Sequence, residues 1–220
     1  IADWDVSNVK DMASLFMGWP SFNGDLSRWD VSKVEDMYGM FNAVKSFNCD
    51  LSRWNVSNVR DMESMFWNAT DFNGDLSRWD VSNVTNMSGM FGGATKFNGD
   101  LSRWNVAKVK DMSFMFSRAM KFNGDLSRWN VSNVTNMSFM FTNDEFNGDL
   151  SRWDVSNVTN MNCMFFRATS FNGDLSRWDM SNVVRKVSMF EGATKYNATR
   201  GLRVLRTYAK VVVTTLFWQE

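Results

Sequence analysis

The side chains that most often carry out catalysis are scarce in this chain. It contains no histidine, so the commonest general base and the commonest neutral metal ligand are both missing. Its two cysteines, Cys49 and Cys163, are far apart in the sequence and have no histidine partner. This arrangement disfavours a disulfide, a zinc site and a thiol nucleophile. We therefore predict a protein that is not an enzyme and that carries no metal and no cofactor.

Carboxylates are plentiful, and one aspartate recurs in a turn-forming Asn-Gly-Asp context. A calcium array of the repeat-in-toxin type would use Asp and Gly residues, but it needs a GGxGxD pattern in nine-residue periods. One aspartate per repeat supplies too few ligands for calcium. We therefore interpret these aspartates as hydrogen-bond acceptors in turns. The series is Asp25, Asp50, Asp75, Asp100, Asp125, Asp149 and Asp174.

A second set of polar residues is predicted to face outward from a short strand. In one repeat this set includes Arg78 and Asp80, and the arginine recurs as Arg103 and Arg128. These columns could form a charged groove for an acidic protein partner, a peptide or a glycan. Alternatively, each arginine stem covers apolar surface while its head pairs across strands. We favour the second interpretation because neighbouring aspartates cancel the field of the arginines.

Large aromatic residues occupy positions that vary from repeat to repeat. Stacking requires residues that repeat, whereas recognition of one partner requires residues that differ, so these positions are informative. Trp67, Phe114, Phe139 and Phe166 form the predicted partner-contact strip, since large exposed aromatics are enriched at interfaces. The alternative is that some of them fold inward and fill gaps in the core.

An internal repeat of about 25 residues organises the whole chain. In one copy, Leu76, Trp79 and Val81 are apolar, and Arg78 to Ser82 alternates as a short strand does. The following segment from Val84 to Ala94 has the apolar spacing of one helical stripe. The recurring asparagine of the turn, such as Asn73, is predicted to satisfy backbone groups rather than to form a site. The tryptophans that mark the repeats are Trp4, Trp29, Trp54, Trp79, Trp104, Trp129, Trp153 and Trp178.

Neither element can bury its apolar face within a single repeat, so the repeats must stack and share one core. The predicted fold is therefore an α/β solenoid of about eight strand-turn-helix repeats, with a parallel sheet on one side and short helices on the other. Residues 1–197 form this solenoid, whose first repeat is truncated. Residues 198–220 are predicted to be a C-terminal cap or tail.

The charges of the chain balance, with 24 basic and 24 acidic side chains. Without a net positive field, nucleic acid and anionic membrane are disfavoured as partners. The sequence has no apolar run of the length that a membrane span requires. Protein is the expected partner, and a glycan is a second class of ligand to consider.

The units FNGDLSRWDVSNVTNMSGMF and FNGDLSRWNVSNVTNMSFMF carry a family resemblance. They resemble the bacterial surface protein repeat, the BspA-like leucine-rich repeat family, which is also a domain of unknown function abundant in Mycoplasma lipoproteins. The resemblance implies a leucine-rich-repeat-like solenoid, an extracellular or cell-surface setting, and adhesion or protein-protein contact. The sequence departs from the LxxLxLxxNxL pattern because Asn83 falls one position early, so the turn after the strand is expected to differ.

The sequence thus predicts a non-enzymatic protein-protein interaction or adhesion module, at a cell surface or secreted. The alternative is a structural or scaffold subunit docked in a larger assembly.

Overall fold

The computed structural model describes residues 1–142 and 145–196 of the chain. Within these residues there is no α-helix and no extended strand, so there are no bounds to give for either element. The backbone consists of turns joined by isolated parallel bridges at one position of each repeat. The predicted α/β solenoid, with its parallel sheet and its row of helices, is therefore wrong. The bridges link Asp11, Asp36, Asp61, Asn86, Asp111, Asn136, Asn160 and Arg185 in succession.

The segment predicted as a helix contains left-handed residues in every described repeat, usually two of them. Gly89 and Gly93 have φ angles of 64° and 68°, and their counterparts Phe114 and Arg118 have φ angles of 57° and 58°. A right-handed helix cannot contain residues of this conformation. The chain instead forms successive turns, in which Met90 N donates to Met87 O at 3.2 Å. An apolar spacing of three and four residues thus arises from turns rather than from a helix.

Every second amide of this segment donates to the following repeat. Met87 N donates to Asp111 O at 3.0 Å, and Gly89 N donates to Ser113 O at 2.7 Å. Phe91 N continues the series by donating to Met115 O at 2.9 Å. The repeats are therefore stacked layers, each hydrogen-bonded to its neighbours through the main chain.

The segment predicted as a strand is also built from turns. Val84 N donates to Val81 O at 2.9 Å, and Asp80 Oδ1 accepts a bond of 3.0 Å from Ser82 N. Asp75 Oδ1 similarly accepts from Ser77 N at 2.9 Å. These side-chain bonds imitate a backbone turn and stabilise the turns on both sides of residues 79–81, which form no strand. The prediction that the aspartate series serves as turn acceptors is confirmed at this position.

The apolar positions that we singled out in the sequence form the core. Trp79 is 3% exposed, and its ring stacks between Trp54 and Trp104 with centroid separations of 6.4 and 6.5 Å. Phe91 stacks on Phe97 at 3.9 Å. The same contacts recur in the neighbouring layers, so one apolar core runs through the stack. The core residues of the central repeat are Leu76, Trp79, Val81, Val84, Met87, Met90, Phe91 and Ala94.

The recurring asparagine forms a ladder between layers. Asn98 N donates to Asn73 Oδ1 at 2.8 Å, and Asn98 Oδ1 accepts from Asn123 N at 2.9 Å. The prediction that this asparagine satisfies backbone groups is confirmed for the described repeats. Asn197, the last asparagine of the series, and the predicted cap at 198–220 lie outside the described residues. In the part of the chain that the structure describes, no helix could cross a membrane.

Candidate interaction surface

Trp67 lies on a floor of glycines that belong to the next layer. A Cβ atom at Gly89 would stand 2.8 Å from Trp67 Cε3, and a Cβ at Gly92 would overlap the same ring. A Cβ at Gly93 would overlap the side chain of Asn68. Trp67 is half-buried as a result. Its ring therefore packs over the glycine positions of the neighbouring layer, where no side chain stands in the way.

Phe114 and Phe139 continue this aromatic surface in the following layers. Their rings stack with a centroid separation of 4.6 Å and an interplanar angle of 5°. The centroids of the Trp67 and Phe114 rings are 6.2 Å apart and their planes make an angle of 67°, so the Phe114 ring stands as a wall beside the Trp67 ring. We call Trp67, Phe114 and Phe139 the aromatic corner. All three side chains are half-buried, which means that each keeps an exposed part.

Phe166, the fourth residue of the predicted strip, stands apart from the corner. Among the described residues its ring contacts none of the other three aromatic side chains, and the guanidinium carbon of Arg167 lies 5.0 Å above its centroid. The structure therefore brings together three of the four residues. That they contact a partner stays a prediction.

Two carboxylates, Asp61 and Glu63, lie in the layer that carries Trp67, and both bind Asn86 of the layer that carries the glycines. Asn86 Nδ2 donates to Glu63 Oε2 at 2.8 Å and to Asp61 Oδ2 at 3.3 Å. Across the described ranges, neither carboxylate has an ion-pair partner within 4.0 Å. Sequence reasoning missed both these carboxylates and the glycine floor. The signal was present, since Gly92 stands one repeat after Trp67.

The outward arginines, among them Arg78, Arg103 and Arg128, are exposed as predicted. The predicted pairing of their heads across layers is not found, because the ion pairs of the described residues involve other side chains. The pKa of Asp75 is lowered by hydrogen bonds from the backbone amide and hydroxyl of Ser77, with a smaller contribution from the charge of Arg78. Asp80 accepts from Ser82 in its own turn, and within the described ranges it forms no ion pair with an arginine head.

The two cysteines are the remaining candidates for chemistry. Cys49 Sγ accepts a bond of 3.2 Å from Leu26 N, and burial raises the pKa of the Cys49 thiol. Burial likewise raises the pKa of the Cys163 thiol. In residues 1–142 and 145–196, no group of three His, Cys, Asp or Glu side chains could hold a metal ion. The aromatic corner is therefore the best-defined candidate site.

A family model described as "Mycoplasma protein of unknown function, DUF285" matches residues 1–100, 54–145 and 129–206. The chain belongs to this family. The Mycoplasma-type domain in the sequence resemblance is thereby confirmed, whereas the BspA-like assignment stays a prediction. No curated protein matches this DUF285 chain.

One solved structure similar to this DUF285 chain is described as "Crystal structure of TLR13-ssRNA13 complex". The two chains are 16% identical and superpose with a TM-score of 0.40, over 77% of this chain and 24% of the other. The DUF285 chain thus spans about a quarter of that protein. The RNA in that title is a ligand of the other protein. At this TM-score the likeness says nothing about the site in the DUF285 chain.

Proposed function

We propose that this DUF285 chain is a non-enzymatic protein-interaction module and that the aromatic corner is part of its contact surface. The observation that carries the proposal is the backbone conformation of Phe114 and Phe139, whose φ angles are 57° and 58°. Bulky residues rarely adopt this left-handed conformation, which costs about 1–2 kcal/mol per residue. Every described layer has this conformation at the same position, as at Ser64 and Cys163, so the distinguishing feature is that Phe114 and Phe139 place bulky aromatic rings there despite the cost.

Stacking does not require aromatic residues at these positions. The counterparts of Phe114 in two other layers are Gly39 and Gly89, which adopt the same conformation without strain. The counterpart of Trp67 in the next layer is Gly92, so an aromatic side chain is equally dispensable there. A half-buried aromatic cluster that the fold does not need is typical of a protein-protein interface.

The proposal extends to the setting and to the class of partner. The sequence resemblance to surface proteins supports an extracellular or cell-surface location and a role in adhesion, with protein as the main partner and glycan as a second class. Fractionation of cells that express the full-length protein, followed by surface proteolysis, would test this location. A scaffold subunit of a larger assembly remains the alternative function.

Capture of partners by the immobilised chain tests the interaction surface. The double variant Trp67→Ala, Phe114→Ala should lose a protein that the natural chain captures from its own source, as quantified by mass spectrometry. Phe166→Ala is the matched control, because it removes an aromatic side chain of the same face that lies outside the corner. If the double variant stays folded by circular dichroism and captures the same proteins as Phe166→Ala, the proposed surface is wrong.

A further inference from the structure

We propose that the aromatic corner binds an arginine side chain of the partner protein. This inference rests on the proposed function and specifies the chemistry of the same surface. The guanidinium would stack on the Trp67 ring against the wall formed by Phe114, with Asp61 and Glu63 supplying the complementary charge.

The arrangement of the rings suits a flat cation. One side of the Trp67 ring is covered by Gly89 and Gly92, while the half-buried side chain retains an exposed part. Among aromatic side chains, tryptophan attracts cations most strongly, and guanidinium groups prefer to stack on such faces. The Phe114 ring stands at 67° to the indole, so it limits the site on one side. An inserted planar group would therefore contact both rings.

The local charge favours a cation over a neutral apolar group. Asp61 and Glu63 share one neutral donor, Asn86 Nδ2, which lies 3.3 Å and 2.8 Å from their oxygens. Two negative charges this close repel each other, and within the described ranges no lysine or arginine lies within 4.0 Å of either. A guanidinium would relieve this repulsion and could bind a carboxylate through two hydrogen bonds.

Ser64 connects the charged pair to the aromatic rings. Its Oγ atom lies 3.1 Å from the point that a Gly89 Cβ would occupy, and Trp67 Cε3 lies 2.8 Å from the same point. Glu63 directly precedes Ser64 in the chain. The backbone of Glu63 is therefore adjacent to a residue that borders the corner.

The chain already contains an internal example of the proposed contact. Phe166 occupies the same repeat position as Trp67, and the guanidinium of Arg167 lies 5.0 Å above the Phe166 ring centroid. The residue that follows Trp67 is Asn68, so the corresponding cation is missing in that layer. A partner arginine would supply to Trp67 the contact that Arg167 supplies to Phe166.

Titration with three capped tripeptides tests the proposal on the full chain. The probes are acetyl-Gly-Arg-Gly-amide, its citrulline counterpart, which is neutral and nearly isosteric, and its leucine counterpart. Binding is followed by NMR through the indole Nε1–H resonance of Trp67, which is assigned by its loss in Trp67→Phe. We expect the arginine peptide to shift this resonance and to bind at least about fivefold more tightly than either neutral peptide.

The double variant Asp61→Asn, Glu63→Gln separates charge from shape. Other layers carry asparagine at the position of Asp61, as at Asn86 and Asn136, so this variant is expected to fold. The variant should bind the arginine peptide about fivefold more weakly at low salt, while its affinity for the leucine peptide should be unchanged. Equal shifts by all three peptides, or no response to the arginine peptide, would overturn the proposal.

Failure of the inference can be distinguished from failure of the proposed function. If the corner variants lose a captured protein but the arginine peptide does not bind, the surface is functional and its chemistry is different. If the arginine peptide binds and capture is unaffected, the interaction surface lies elsewhere.

Discussion

Trp79 donates its indole Nε1–H to the carbonyl oxygen of Leu51 across a distance of 3.0 Å. The two residues belong to adjacent layers, and the bond recurs between Trp104 and Leu76 at 3.0 Å. Each repeat tryptophan from Trp29 to Trp178 therefore fills its own layer and also donates to a carbonyl group of the layer before it. One side chain thus both stacks in the core and binds the main chain of the adjacent layer.

Replacement of Trp79 by alanine should lower the free energy of unfolding by about 3–5 kcal/mol. Trp79→Phe should cost less, since a ring remains in the stack and Leu51 O, which loses the indole donor, keeps the bond of 3.1 Å from Trp54 N. Urea denaturation gives the free energies, and hydrogen exchange shows where protection is lost. Because contacts run between neighbouring layers, the loss should centre on the layers of Trp54, Trp79 and Trp104. A uniform loss along the described chain would contradict this expectation.

Gly92→Ala should destabilise the chain by about 1–3 kcal/mol, because the added methyl group overlaps the Trp67 ring. The backbone at Gly92 is not left-handed, so sterics alone account for this cost. In a Trp67→Ala background the same substitution should cost little. A double-mutant cycle of thermal or urea denaturation measures the coupling, and we expect about 0.5–3 kcal/mol. An equal cost in both backgrounds would show that the two residues do not touch.

Phe114→Gly should leave the stability of the fold nearly unchanged. Glycine removes left-handed strain of about 1–2 kcal/mol, which offsets the ring contacts that are lost, about 0.5–1.5 kcal/mol. Phe114→Ala loses the ring and keeps much of the strain, so it should be the less stable of the two variants. Denaturation midpoints test this order, and a more stable alanine variant would refute it.

Acid should destabilise the chain through its turn aspartates. Hydrogen bonds from the hydroxyl and amide of Ser82 lower the pKa of Asp80. Its contribution to stability is therefore complete above the unfolded-state pKa of about 3.9 and is lost as the pH falls through the lower folded-state value. Asparagine makes the equivalent bond without a charge, since Asn105 Oδ1 accepts from Ala107 N at 3.2 Å.

A variant with asparagine at four such positions should therefore lose less stability on acidification than the natural chain. At neutral pH the two proteins should differ little, because the acceptor oxygen is retained. Melting temperatures between about pH 2 and pH 7 provide the measurement, and identical acid sensitivity of the two proteins would contradict the assignment. The four substitutions are Asp30→Asn, Asp80→Asn, Asp154→Asn and Asp179→Asn.

The core and the ladders could be predicted from the sequence, whereas the path of the backbone could not. Val84, Met87 and Phe91 are buried as their apolar character indicates, but their spacing is shared by a helix and by successive turns. The left-handed positions would have settled the choice. Glycine indicates these positions only in some layers, as at Gly89. In the next layer they are occupied by Phe114 and Arg118, whose residue types do not suggest a left-handed conformation.

The aromatic corner illustrates a second limit of sequence reasoning. Variability between repeats identified Trp67 and Phe114, because that argument needs no geometry. The contact between them could not be predicted, since Trp67 reaches over the layer of Gly92 to a ring two layers away. Nor could the position of Glu63 beside Asn86 be inferred from a fold of strands and helices.

The repeat that runs from Phe122 to Phe146 is one residue shorter than its neighbours. Asn147 N nevertheless donates to Asn123 Oδ1 at 2.8 Å, and Trp153 Nε1 donates to Leu126 O at 3.0 Å. The bonds between layers thus join matching positions of the repeat. They tolerate a change in the number of residues that separates two such positions. A gene for such a chain can lose or gain single codons here, or whole units by unequal recombination, while the remaining layers keep their bonding pattern. The length of the stacked surface can therefore change during evolution in steps of one layer.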